Sequence, residues 1–135
     1  MNASVSAHPA LPLAGRILIA AIFLVAGARK VLTFAGTVGY MAKLGFPAPE
    51  AMAALAIVIE LGGSILLIIG WRTRWVAWLL ALFVLIAAFA AHRFWEFDAT
   101  QYNNQLNHFL KNIAIIGGLL FVAAFGPGSS SVDKA

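Results

Sequence analysis

The chain has 135 residues, of which 62% are hydrophobic and only 10% are charged, with no cysteine and a net charge of +4. Soluble domains carry about 25% charged residues, so this composition indicates an integral membrane protein and excludes a water-soluble fold. The absence of thiols excludes disulfides, Fe–S clusters and cysteine nucleophiles, and the scattered single cations at the ends of apolar segments are typical of membrane anchoring rather than nucleic-acid binding.

The apolar segments predict an all-α membrane protein, a bundle of four transmembrane helices within about residues 12–33, 51–70, 75–92 and 107–126. This membrane domain would occupy residues 12–128, between flexible tails at 1–11 and 129–135. The uncharged stretches of the first and last spans, 17–28 and 113–125, are shorter than the roughly 20 residues that cross a bilayer. Those two helices must therefore include charged residues.

The connections are of three kinds. Between the first two spans, Phe34, Val38, Met41 and Leu44 recur at helical spacing, which predicts a short amphipathic helix lying on the membrane surface; an irregular loop is the alternative. The tight turn at residues 71–74 makes spans two and three antiparallel neighbours. The polar, amide-rich segment 96–107 is predicted to be an exposed loop.

Glu60 lies in the middle of the second span. An acidic side chain at the centre of a membrane helix costs about 2.5–3.5 kcal/mol, so it should be paired, protonated or turned towards a polar cavity. Small residues share its side of the helix, which predicts that this side faces the other helices: Ala53, Ala56, Gly63 and Ser64.

Two other spans carry stripes of the same kind. In the first span the stripe is Arg16, Ala20, Phe23, Gly27 and Lys30, and in the fourth it is Lys111, Ala114, Ile115 and Gly118. Antiparallel threading gathers several polar residues at the end of the bundle opposite the termini, above Glu60. Lys111 and Arg16 are the two best partner candidates for Glu60, and the sequence does not choose between them. The candidates for a buried polar core, or for a proton or quinone site, are Glu60, Lys111, Arg16, Lys30, Asn112, His92 and His108.

Structural alternatives remain open for each of these residues. A buried ion pair of Glu60 can simply fix helix register, and His92 and His108 can be ordinary interfacial histidines. A haem held by His92 and His108 has little support, no metal site is predicted, and the sequence has no nucleotide-binding loop or hydrolase signature. The remaining arginines, at positions 29, 72, 74 and 93, are interpreted as snorkelling anchors.

The order and spacing of several short motifs make the chain resemble the DoxX family of small bacterial membrane proteins. The matching stretches cover roughly residues 12–128 and lie at 15–16, 27–30, 36–49, 60–63, 70–74, 92–95, 108–112 and 117–118. The resemblance implies a four-helix membrane fold and a link to quinone-dependent oxidoreductases, while distant relatives include cargo receptors and assembly chaperones. The seven candidate residues fall within the family's recurring motifs.

We therefore expect a small inner-membrane subunit of a quinone-linked redox system. Its expected partner is a redox protein and its expected cofactor is a quinone. Association into homo-oligomers is a further possibility for its assembly. The alternative is a non-enzymatic membrane scaffold or assembly partner whose polar core is structural. A transporter is a weaker hypothesis, because so short a chain could form a substrate path only as an oligomer. Discounting Lys30 and Lys111, the balance of loop cations favours cytoplasmic termini.

Overall fold

The computed structural model describes residues 8–134, and every regular element in that range is helical. Four helices are long and apolar enough to cross a membrane: Ala10–Leu32, Pro49–Ile69, Thr73–Glu96 and Tyr102–Phe125. These helices confirm the predicted all-α, four-span fold class. The part of the expected N-terminal tail at residues 1–7 lies outside the described residues.

The elements, in chain order, are α1 (Ala10–Leu32), α2 (Phe34–Lys43), α3 (Pro49–Ile57), a π-helical turn (Val58–Gly62), α4 (Gly63–Ile69), α5 (Thr73–Ala91), a 3-10 turn (Phe94–Glu96) and α6 (Tyr102–Phe125). The second span is thus α3, the π turn and α4 in succession. The helix predicted between spans one and two is confirmed as α2, and it packs against α3.

The start of the last span was predicted too late. The helix α6 begins at Tyr102 instead of 107, so the second half of the expected loop, residues 102–107, is helical. Asp98 prepares this start: its carboxylate accepts hydrogen bonds from the Thr100 hydroxyl (2.6 Å) and from the Gln101 amide (3.2 Å). These bonds, led by that of the Thr100 hydroxyl, lower the pKa of Asp98. Hydropathy detects only the part of a helix that lies in the apolar layer, and it misses polar turns that extend beyond it.

The helices pack through their small residues. The helix α1 lies along α4 and the π turn, α4 contacts α5, and α5 and α6 form the most extensive pair. Two predicted stripes are confirmed: the inward residues of α1 are Arg16, Ala20, Phe23 and Gly27, and those of the second span include Ala53, Ala56, Glu60, Gly63 and Ser64. The stripe of the fourth span was wrong at Ala114, which is exposed, while Leu119 and Ala123 are the buried residues of α6.

Gly27 sets the distance between α1 and the second span. A Cβ atom placed on it would lie 2.8 Å from both Cγ and Cδ2 of Leu61 and 3.3 Å from Cβ of Glu60. We expect Gly27→Ala to destabilise the protein by about 1–3 kcal/mol through overpacking. Gly117→Ala is the control, because nothing lies within 4 Å of its added Cβ, and it should be neutral or slightly stabilising. Thermal unfolding of both variants in detergent checks the difference, and equal stabilities would contradict the close contact.

The C-terminal segment is held against the bundle, in contrast to the flexible tail expected at residues 129–135. The carboxylate of Asp133 accepts hydrogen bonds from the amides of Arg72 (2.8 Å) and Thr73 (2.7 Å), and the Val132 amide donates to the Ile69 carbonyl (3.0 Å). The hydrogen bonds that its carboxylate accepts, led by the one from the Thr73 amide, lower the pKa of Asp133. The segment satisfies backbone groups that the end of α4 and the start of α5 leave unpaired, a role that composition does not reveal.

Candidate functional site

A cavity of about 830 Å³ occupies the end of the bundle opposite the termini. Among the described residues no Cα atom of α1 lies within 8 Å of one of α5, and the cavity lies between these two helices, with α2, the second span and α6 completing its walls. The lining is mainly apolar, and includes Phe23, Leu55, Ile59, Leu82, Phe83 and Ile115. Its size falls within the range of about 300–1,000 Å³ typical of small-molecule sites.

Six of the seven residues singled out in the sequence line this cavity: Lys30, Glu60, His92, His108, Lys111 and Asn112. They come from four different segments of the chain, the end of α1, the π turn, the end of α5 and the first half of α6. Their convergence gives the cavity a polar side within otherwise apolar walls. Arg16 is the exception and lies at the other end of the bundle.

Glu60 pairs with Lys30. The Lys30 Nζ atom donates a hydrogen bond to Oε1 (3.0 Å) and lies 2.8 Å from Oε2, an ion-pair contact without hydrogen-bond geometry. Both predicted partners, Lys111 and Arg16, were therefore wrong. Lys30 was a candidate site residue but not a predicted partner of Glu60, and its long side chain reaches the carboxylate from the last turn of α1.

Glu60 lies in a π turn of the second span. Residues Val58–Gly62 form this wider turn, with Glu60 at its centre and only 6% of its side chain exposed. Such a turn shifts the angular positions of the following residues and is frequent at functional sites. The extra residue of the turn is invisible to an analysis that assumes a regular period of 3.6 residues.

Arg16 belongs to a structural cluster instead. Its guanidinium donates to the carbonyls of Leu67 (3.0 Å) and Ile68 (2.8 Å), and also to that of Ser130. The residue is 1% exposed. It thus satisfies the last carbonyls of α4 and attaches the C-terminal segment, because the start of α1 lies beside the end of the antiparallel second span.

The two histidines form a stacked pair near the mouth of the cavity. Their ring centroids are 4.9 Å apart, with an angle of 22° between planes. His92 Nδ1 donates to Gln105 Oε1 (2.9 Å), and His108 Nδ1 accepts from Lys111 Nζ (3.2 Å). Axial haem ligands would instead direct ring nitrogens at an iron from opposite sides, so this arrangement does not fit a bis-histidine haem. The described residues contain no cluster of three or more metal-ligating side chains.

Two polar residues that line the cavity were not among the candidates. Arg29 was interpreted as an anchor and Tyr40 was not considered, yet both line the cavity. Burial raises the pKa of Tyr40. Tyr40 lies on α2 with Met41 and Leu44, so the predicted amphipathic helix forms one wall of the cavity. Its apolar spacing was the available signal, but that spacing does not say what the helix covers.

Comparison with known proteins identifies the family. Residues 11–93 match the DoxX family. The inner membrane protein YphA of Escherichia coli is 37% identical over 129 residues, covering 96% of this chain and 92% of that protein. The inner membrane protein YqjF of the same organism is 38% identical over 122 residues, covering 90% of this chain and 88% of that protein.

A eukaryotic relative is more distant. The ER-derived vesicles protein ERV29 of Saccharomyces cerevisiae is 31% identical over 78 residues, which is 58% of this chain and 25% of that protein. No solved structure matches the chain. The family match, the two bacterial relatives and the four spans agree with one another. The chain therefore belongs to the DoxX family and is a multi-pass inner-membrane protein.

Proposed function

We propose that the protein binds a membrane-dissolved quinone in this cavity and acts as a small subunit of a quinone-linked redox system. The observation that carries the proposal is the cavity itself, with its apolar walls and one polar side. A quinone has the same division, since its isoprenoid tail is apolar and its headgroup carries carbonyl oxygens. An opening between α1 and α5 would let such a molecule enter directly from the lipid layer.

The polar side supplies hydrogen-bond donors, which is what a quinone requires. Quinone oxygens only accept hydrogen bonds, and the available donors are the Lys111 ammonium, the Asn112 amide and the Tyr40 hydroxyl. Lys111 Nζ uses one of its three protons on His108, so it can also donate to a headgroup. We assign Lys111 and Asn112 as the residues that hold and orient the headgroup.

The quinone would supply the redox chemistry, accepting two electrons and two protons on reduction. The electrons would come from a redox-protein partner, and protons would reach the cavity from its open, polar end. The histidine stack lies on that route, between the Gln105 amide and the Lys111 ammonium. We keep the expectation that both termini are cytoplasmic, which would turn the mouth of the cavity towards the opposite face of the membrane.

Binding of decylubiquinone to the purified protein in lipid nanodiscs tests the proposal. We expect saturable binding, weakened about tenfold by Lys111→Met, because hydrogen bonds from a charged donor contribute about 1.5–3 kcal/mol. Asn112→Leu should weaken binding less. Lys43→Met is the matched control, since Lys43 is a cation of the same end of the bundle that does not line the cavity.

Native mass spectrometry of the protein from its own membranes gives the complementary result. A retained quinone or a redox subunit would support the proposal. The proposal would be contradicted if neither a quinone nor a redox subunit were retained and added decylubiquinone showed no saturable binding in nanodiscs. The nanodisc measurement is needed because detergent can strip a weakly held quinone.

A scaffold or assembly partner is the second candidate, and the closed Lys30–Glu60 pair favours it. This pair joins α1 to the second span, which is sufficient for an architectural role. On this hypothesis the exposed segments, such as α2 or residues 97–101, would contact the partner protein. A protein that binds no quinone but copurifies stoichiometrically with a non-redox protein would support this candidate.

A further inference from the structure

The lining of the cavity carries more positive charge than the binding of a neutral quinone requires. Three cationic side chains line it, Arg29, Lys30 and Lys111, against the single carboxylate of Glu60. Lys30 is paired with Glu60, whereas in the part of the chain that the structure describes no carboxylate lies within 4.0 Å of Arg29 or Lys111. The mouth therefore carries two uncompensated positive charges, with neutral apolar walls below them.

We propose that the cavity also binds a single-chain lipid with an anionic headgroup, a carboxylate or a phosphate, seated between Arg29 and Lys111. The acyl chain would extend along the apolar walls towards Phe23 and Phe83. This ligand class goes beyond the proposed quinone function and does not depend on it, because the proposal rests on the two unpaired cations above the apolar walls and not on quinone binding.

The position of the two cations supports the assignment. Arg29 lies in the last turn of α1, and Lys111 lies well inside α6, beyond the polar turns with which that helix begins. Both residues line the cavity at the end of the bundle opposite the termini, and they come from two helices that contact one another, α1 and α6. A cation near the membrane surface attracts anionic headgroups by about 1 kcal/mol, which corresponds to roughly fivefold in affinity.

Membrane anchoring is the competing explanation, and it predicts a different selectivity. A snorkelling cation would stabilise the protein in any anionic bilayer without preferring a ligand in the cavity. Arg93 and Lys43 lie at the same end of the bundle but do not line the cavity. Arg93 moreover has its own carboxylate partner, since its Nε lies 3.2 Å from Glu96 Oε2. These two residues therefore serve as controls for anchoring.

The test compares three single-chain probes, oleate, oleoyl lysophosphatidic acid and uncharged oleyl alcohol, by native mass spectrometry and equilibrium binding in zwitterionic nanodiscs. We expect both anionic probes to bind more tightly than oleyl alcohol, and their affinity, unlike that of the alcohol, to fall with added salt. Preference for only one anionic probe identifies the headgroup chemistry. Equal binding of all three probes would overturn the proposal.

Variants locate the site. Arg29→Met should weaken oleate binding roughly fivefold and decylubiquinone binding less than that, because the quinone carries no charge, and Arg93→Met should change neither. Arg29→Glu places a carboxylate opposite the remaining Lys111 ammonium and should abolish the preference for oleate over oleyl alcohol. Unchanged oleate affinity in both Arg29 variants would overturn the proposal. Loss of quinone binding alone would contradict only the quinone function, so the two failures are distinguishable.

Discussion

Replacing Arg16 by methionine is expected to destabilise the protein more than any other single change at the termini end of the bundle. The substitution leaves the carbonyls of Leu67, Ile68 and Ser130 without their donor. Leaving a buried hydrogen-bonding group without its partner typically costs about 1–3 kcal/mol, and here three carbonyls lose theirs. We therefore expect Arg16→Met to accumulate poorly in the membrane and to unfold at a clearly lower temperature in detergent.

Two comparisons make this prediction specific. Arg16→Lys keeps the charge but replaces the planar fork with a single ammonium, which cannot reproduce the same set of hydrogen bonds, so it should recover only part of the stability. Arg72→Met removes an exposed cation of the same end, whose guanidinium lies over the Trp71 ring at 5.7 Å. It should stay within about 1 kcal/mol of the parent. Parental stability of Arg16→Met would show that the C-terminal segment is held by other contacts.

The four spans and most of the cavity residues could be predicted from the sequence because they depend on local pattern. Apolar length defines the spans, and small residues at helical spacing mark the inward faces of α1 and the second span. Antiparallel threading then brings Lys30, His92 and Lys111 to one end. These arguments require only that the helices be regular and that their connections be short.

The errors arise where a contact depends on the reach of one side chain or on a distant segment. Glu60 faces the other helices as the regular pattern predicts, but the pattern does not show that Lys30 rather than Lys111 or Arg16 reaches its carboxylate. Arg16 was assigned to the polar core because it shares a stripe with Lys30, yet the stripe runs the length of α1 and its two ends serve different ends of the bundle. Asp133 and Ser130 form hydrogen bonds with residues near the ends of helices that are distant in sequence. An analysis of the pattern within each segment cannot detect such contacts.

The Lys30–Glu60 pair gives the second large effect. Lys30→Met leaves the carboxylate of Glu60 without its cation inside the bundle, and Glu60→Leu leaves the ammonium of Lys30 without its anion. Each single variant should lose about 3–5 kcal/mol. The double variant Lys30→Met/Glu60→Leu should recover most of that loss, since well-packed apolar residues often replace a buried ion pair without cost. Thermal unfolding of the four proteins gives the coupling energy directly.

The double variant also separates architecture from function, which neither single variant can do. If the pair shapes the polar side of a quinone site, the double variant should be stable yet bind decylubiquinone more weakly, by about tenfold, than the parent. Its fold would then be intact, so the loss could be attributed to the site itself. A stable double variant with parental quinone affinity would instead show that the pair only joins α1 to the second span, and the headgroup site would be confined to Lys111 and Asn112.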